Sequence, residues 1–147
     1  RPVVGVGVVV WRDEEVLLVR RGGEPNRGQW SIPGGAQELG ETVYAAAERE
    51  VMEETGLGIR ILGLIDVVDG IRRDEEGRVS WHYTLIDLAA EWSSGDARAG
   101  DDAEAVGWFS LKDLPGLGLW DETERIIRQS AKLRGKPAVR RPADSPL

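Results

Sequence analysis

The chain predicts an α/β fold in which a mixed sheet has helices packed against it. Three observations predict it. β-branched apolar runs open the chain and return in its middle, two later segments carry helical spacing, and the two kinds alternate as strands, helix, strands, helix. With 147 residues, 41% of them apolar and 31% charged, the composition suits one domain large enough to bury a core. Residues 1–135 are assigned to that domain, and the Pro-rich run "KPAVRRPADSPL" (136–147) to a flexible tail ordered only by a partner.

Each element has its own signal. "VVGVGVVVW", the charged turn "RDEE" and "VLLVRR" read as two strands of a hairpin. "GGEPNRGQWSIPGG" is too rich in Gly and Pro to be anything but a loop. From about Thr42 to Thr55, Val43, Ala47 and Val51 recur at four-residue steps and predict a helix with one buried stripe. "IRILGLIDVVDGI" and "SWHYTLIDLAAEW" read as strands joined by the polar turn "RRDEEGR". A loop, "SSGDARAGDDAE", a short strand, "AVGWFSL", and a second helix, "DETERIIRQSAKLR", complete the order.

Several function classes are excluded early. A net charge of −7 argues against an electrostatic hold on a long nucleic acid or an anionic membrane. No run approaches a membrane span, and the absence of cysteine removes disulfide and thiolate chemistry. The expectation is a cytoplasmic protein acting on a small molecule.

The first helix breaks two local rules at once. Glu50, Glu53 and Glu54 stand at i, i+3 and i+4, share one face and repel each other. They also crowd the last turn before Gly56, where the helix dipole already places negative charge. Glu48 adds to the cluster, and Arg49 is its one opposite charge. A solvated acidic face is the plain alternative, but a bound cation relieves both penalties. Carboxylate oxygens on one helix face suit Mg²⁺ or Mn²⁺, which recruit phosphate oxygens to complete their shells.

From Gly35 the chain has five residues, Glu41, seven residues, then Arg49-Glu50-Val51-Met52-Glu53-Glu54-Thr55-Gly56-Leu57. This resembles the signature of the Nudix hydrolases at every fixed position, and the flanks "GQWSIPGG" and "AEAVGWFSL" resemble the family's as well. The resemblance implies an α/β/α sandwich with a mixed central sheet and Mg²⁺-dependent cleavage of a diphosphate joined to a nucleoside. It implies Glu50, Glu53 and Glu54 as metal ligands with the carbonyl of Gly35, and Arg49, Glu41 and Gly56 in orienting or structural roles. A further acid in many members precedes the late aromatic strand. Here Asp101, Asp102 and Glu104 compete with Glu53 as general base, and Glu104 is favoured. Arg21 and Arg27 are candidate substrate contacts through guanidinium forks.

The first choice of reaction is ADP-ribose to AMP and ribose 5-phosphate; the alternative is a (d)NTP pyrophosphohydrolase. Some ADP-ribose hydrolases carry a proline about sixteen residues beyond the box, where this chain has Arg73. Because the box keeps all its glutamates, a nucleotide-sensing module without turnover ranks behind both. A homodimer is a mild expectation. Trp30, between Gly28 and Pro33, is assigned to packing, and His82, the sole histidine, to a strand.

Overall fold

A computed structural model describes residues 1–24, 26–100 and 102–140. Strands β1 (Val3–Arg12), β2 (Glu15–Arg21), β3 (Trp30–Ser31) and β4 (Gly34–Ala36) precede helix α1 (Val43–Thr55). Then follow β5 (Gly58–Arg73), β6 (Val79–Ser94), β7 (Ala103–Ser110) and helix α2 (Asp121–Ser130). The sheet runs β3-β2-β1-β6-β5, with β4 added to β1 and β7 to β2. It is mixed because β1 and β6 run parallel, from Val3 beside Tyr83 to Trp11 beside Glu91, while its other pairs are antiparallel.

The unbroken apolar run of β1 follows from burial on both faces. Val9 and Trp11 pack with Leu114, Ile126 and Ile127 on the α2 side. Val8 and Val10 pack with Ala47 and Val51 on the α1 side. The two helices therefore cover opposite faces of the sheet, which makes the α/β/α sandwich. Each fully buried aliphatic side chain here contributes roughly 1.5–3 kcal/mol from apolar burial.

The predicted first hairpin is real but short. β1 and β2 pair only at Trp11 with Val16 and Arg12 with Glu15. Beyond that, the segment before α1 wedges between them: β4 pairs with Gly5, Val6 and Gly7, and the Val8 N–H donates to the Pro33 carbonyl at 2.9 Å. Gly34 makes the wedge possible, since a Cβ there would lie 2.0 Å from the Val6 carbonyl oxygen.

The segment read as a loop from its Gly and Pro carries β3 and the start of β4, and elsewhere the elements differ from expectation mainly at their ends. β5 and β6 each reach 16 residues, with register shifts along their pairing. The second helix ends at Ser130, a 3₁₀ turn taking Ala131–Leu133. Ser130 donates to Ile127 O and accepts from the Trp11 indole N–H at 2.9 Å, fixing that end to the core. A 3₁₀ helix over Leu111–Leu117 stands where no element was read, with Pro115 inside it and Leu114 buried. In the stretch assigned to the tail, the Val139 N–H donates to the Ile61 carbonyl at 2.9 Å; residues 141–147 lie outside the described residues.

Candidate active site

α1 is held in register at both ends. Thr42 accepts from the Ala45 N–H at 3.0 Å as N-cap, and Gly56 takes the left-handed conformation, φ 76°, that closes the other end. A loop then caps the last carbonyls: Gly100 N–H donates to Glu54 O at 2.8 Å and Arg98 N–H to Thr55 O at 3.0 Å. The contrast with α2 is informative. α2 has three acids in its first turn and Arg128 in its last, matching the dipole, whereas α1 has no acid in its first turn and no base in its last.

Arg49 is the hub of the site. Its Nε donates to Glu41 at 2.7 Å and its Nη2 to the same carboxylate at 3.0 Å, a two-point fork. Nη1 reaches Glu50 at 2.8 Å and Glu53 at 3.2 Å, while Nη2 also holds the Ala36 carbonyl at 3.1 Å. The Arg49 bond and the Glu38 N–H hold the Glu41 carboxyl down to about 2. The same Glu41 bond lifts Arg49 above its already high range. Arg49 and Glu41 thus fix β4 and the loop after it to the helix.

Glu50 lies against the Gly35 backbone: a Cβ on Gly35 would stand 2.5 Å from the Glu50 carboxyl carbon. Glu54 is the electrostatically costly member. Loss of water and then the Glu50 charge push it up to about 8, with Asp102 adding to the rise and the Gly34 backbone bond opposing it. Two carboxyls sharing a partly desolvated corner with a glycine backbone fit a hard divalent cation. Among the described residues, no three acidic or histidine side chains are placed to ligate one ion together. Glu53 is more exposed, with its carboxylate turned to Arg49.

The remaining candidates separate. Glu104, expected in the loop before the late strand, lies within β7 and forms an ion pair with Arg20 at 3.5 Å. Asp102 is the acid whose charge acts on Glu54; Asp101 lies outside the described residues. Arg21, exposed at the end of β2, is backed by Gln29 and Gly28 through its main chain, and Arg27 donates to the Gly22 carbonyl at 3.2 Å. Neither bonds to the glutamates of α1 among the described residues. Trp30 packs edge-on against Phe109 at 5.0 Å, with Arg20 5.4 Å from its ring centre. Sequence reasoning missed the capping loop through Arg98 and Gly100. Its only signal was the glycine itself, since a Cβ at Gly100 would meet Glu53 O at 2.2 Å.

With this geometry in place, comparison with known proteins gives a consistent result. The NUDIX domain family matches residues 1–130. The chain belongs to that family. It is 36% identical over 127 residues to the ADP-ribose pyrophosphatase of Methanocaldococcus jannaschii, covering 86% of this chain and 72% of that protein. It is 33% identical over 142 residues to the putative mutator protein MutT4 of Mycobacterium tuberculosis, covering 92% of this chain and 54% of that protein. The crystal structure of a MutT Nudix hydrolase from Burkholderia pseudomallei superposes with a TM-score of 0.76 at 36% identity, covering 88% of this chain and 98% of that one. The chain is therefore a Nudix hydrolase domain, and such enzymes act on phosphorus-containing anhydrides with divalent metal ions. No helix among the described residues is long and apolar enough to cross a membrane.

Proposed function

We propose that this Nudix hydrolase cleaves ADP-ribose to AMP and ribose 5-phosphate, with Mg²⁺ or Mn²⁺ held by Glu50, Glu54 and the Gly35 carbonyl, and Glu53 beside them on Arg49. The observation that carries the proposal is the Glu50–Glu54 corner against Gly34 and Gly35, beside a single guanidinium. The pyrophosphatase named for M. jannaschii, at 36% identity, supports the substrate. When bound, the cation neutralises the diphosphate and acidifies water. The chain's own residues do the rest. Arg49 orients Glu50 and Glu53, Glu41 orients Arg49, and the loop through Gly100 fixes the last turn.

Hydrolysis joins a water oxygen to phosphorus, breaks the bridging P–O bond and leaves a proton to be accepted. Asp102 is the best-placed acceptor, because its charge is felt at Glu54 while Glu104 is engaged by Arg20. The resemblance to MutT4 supports a second reading, release of pyrophosphate from a (d)NTP. One assay separates them: chromatography of products from ADP-ribose, nucleotide sugars and (d)NTPs incubated with protein and Mg²⁺. AMP from ADP-ribose at the highest kcat/KM is the expected result. Pyrophosphate from one triphosphate as the dominant product replaces the first reading with the second, and turnover unchanged in both E53Q and E54Q removes the box from the chemistry.

A further inference from the structure

One buried acid plays no part in that scheme. Asp87, in β6, is 6% exposed and lies on the α2 face, while its neighbour Leu88 packs toward α1. No described residue donates a hydrogen bond to its carboxylate; burial, Asp66 and Glu122 push it up to about 6, and Arg125 acts the other way. Arg125 is itself committed to Asp66 at 3.2 Å, Glu122 at 2.6 Å and Gln129 at 3.0 Å. A buried acid without a partner destabilises the fold, so its presence calls for a ligand that repays the cost.

Its position says which ligand. Asp87 neighbours Gly7 in the parallel β1–β6 pairing, and Gly7 neighbours Gly34 in β4. Asp87 and Gly34 are thus two strand spacings apart, about 10 Å, roughly the length of a nucleoside. Gly34 is the residue whose backbone bonds Glu54. Between them Gly7 carries no side chain, and Asp87 and Ile32 close over it: a Cβ there would lie 2.4 Å from Asp87 Oδ1 and 2.9 Å from Ile32. Along the same face of β6, Leu85, Tyr83 and Trp81 follow, the two rings stacked at 4.6 Å and 28° over Gly5 and Gly70. A flat apolar strip ending at an unpaired carboxylate suits a planar, stacking group that carries hydrogen-bond donors.

We propose that Asp87 is a specificity-determining residue, accepting a hydrogen bond from an amino group on the nucleobase of the substrate, which lies along the Leu85–Tyr83 strip. The inference rests on the nucleotide reading of the active site, and its test is chosen to fail separately. AMP and IMP, which differ by the amino group exchanged for an oxo group and by the proton hypoxanthine carries at N1, are titrated calorimetrically into the wild-type protein and D87N. ADP-ribose and its hypoxanthine analogue are then compared as substrates.

The wild type is expected to prefer the amino base about 10- to 100-fold, the range of one charge-assisted hydrogen bond. An Asn can donate as well as accept, so D87N is expected to bring the two bases within about threefold of each other. Equal binding of AMP and IMP by the wild type overturns the proposal. So does discrimination that survives in D87N, or a D87N protein that weakens both bases equally and melts lower, since that is a structural acid. Discrimination between the mononucleotides without ADP-ribose turnover upholds Asp87 and sinks the substrate reading instead.

Discussion

Replacing Asp87 by Asn tests the electrostatics of the α2 face through stability alone. The neutral amide imitates the protonated acid in shape and hydrogen-bonding capacity, and it removes the charge. In the folded chain the carboxyl titrates at about 6, against 3.8 for the free group, first through burial and then through Asp66, with Glu122 adding and Arg125 opposing. At about 1.36 kcal/mol per pK unit that difference amounts to ~3 kcal/mol by which ionisation disfavours the fold. The sign follows from proton counting. Between the two pKa values the folded state binds more protons than the unfolded one, so wild-type stability falls as pH rises from about 4 to about 6 and then levels. D87N lacks this slope. Above pH 7 it is expected to be more stable by about 2–3 kcal/mol, a rise of roughly 5–10 °C in Tm for a domain of this size. Below pH 4 the two proteins are expected to converge. Thermal melts of both from pH 4 to 8 decide it; parallel curves, or a D87N midpoint below the wild type at pH 7.5, refute the reasoning.

Further outcomes are expected at the active site and its frame. Because Glu54 titrates at about 8 through desolvation and Glu50, a cation that needs its carboxylate must expel a proton below that pH. Mg²⁺ affinity is expected to climb between pH 6 and 8 and to flatten above, with proton release visible when calorimetry is repeated in buffers of different ionisation enthalpy. G35A places a Cβ about where the Glu50 carboxyl stands, and is expected to lose at least tenfold in kcat/KM while still giving a cooperative melt. D102N is expected to lower kcat by about 100-fold and E104Q far less, a comparison settled by steady-state rates at saturating Mg²⁺. T42A removes the N-cap acceptor of α1 and is expected to cost about 1 kcal/mol, read from urea unfolding.

The parts legible in the sequence were those governed by local rules. α1 and its C-terminal stop followed from Gly56 and the Val43, Ala47, Val51 spacing, and observed burial at Ala47 and Val51 agrees; Thr42, read as the start of the helix, is its N-cap. The glutamate cluster announced itself by opposing the helix dipole. The parts not legible depend on partners distant in sequence. Nothing in "VVGVGVVVW" says that the strand yields its hairpin edge to β4 after two pairs, or that β6 runs parallel along its other edge. The 3₁₀ helix with Pro115 repeats Leu111, Leu114 and Leu117 at three-residue steps, a period of two turns, too short to stand out beside Pro115 and Gly116, and the burial of Leu114 is completed by Ile126 and Ile127 from α2. Asp87 lay in a strand pattern as one polar residue among apolar ones, and only the packed sheet shows that no described residue bonds to it.

The attachment of Val139 to Ile61 bears on anyone who shortens this chain. β5 is the outer strand of the sheet, and Val139 both accommodates its Ile61 carbonyl and packs on the cluster beneath α1. A truncation after Gly135 strips that cover from a long edge that already shows Leu64, Val67 and Ile71 to solvent. Such an edge is an invitation to pair with another molecule. The shortened protein is therefore a poorer reagent for solution work than one ending after Arg140, even though every active-site residue is retained.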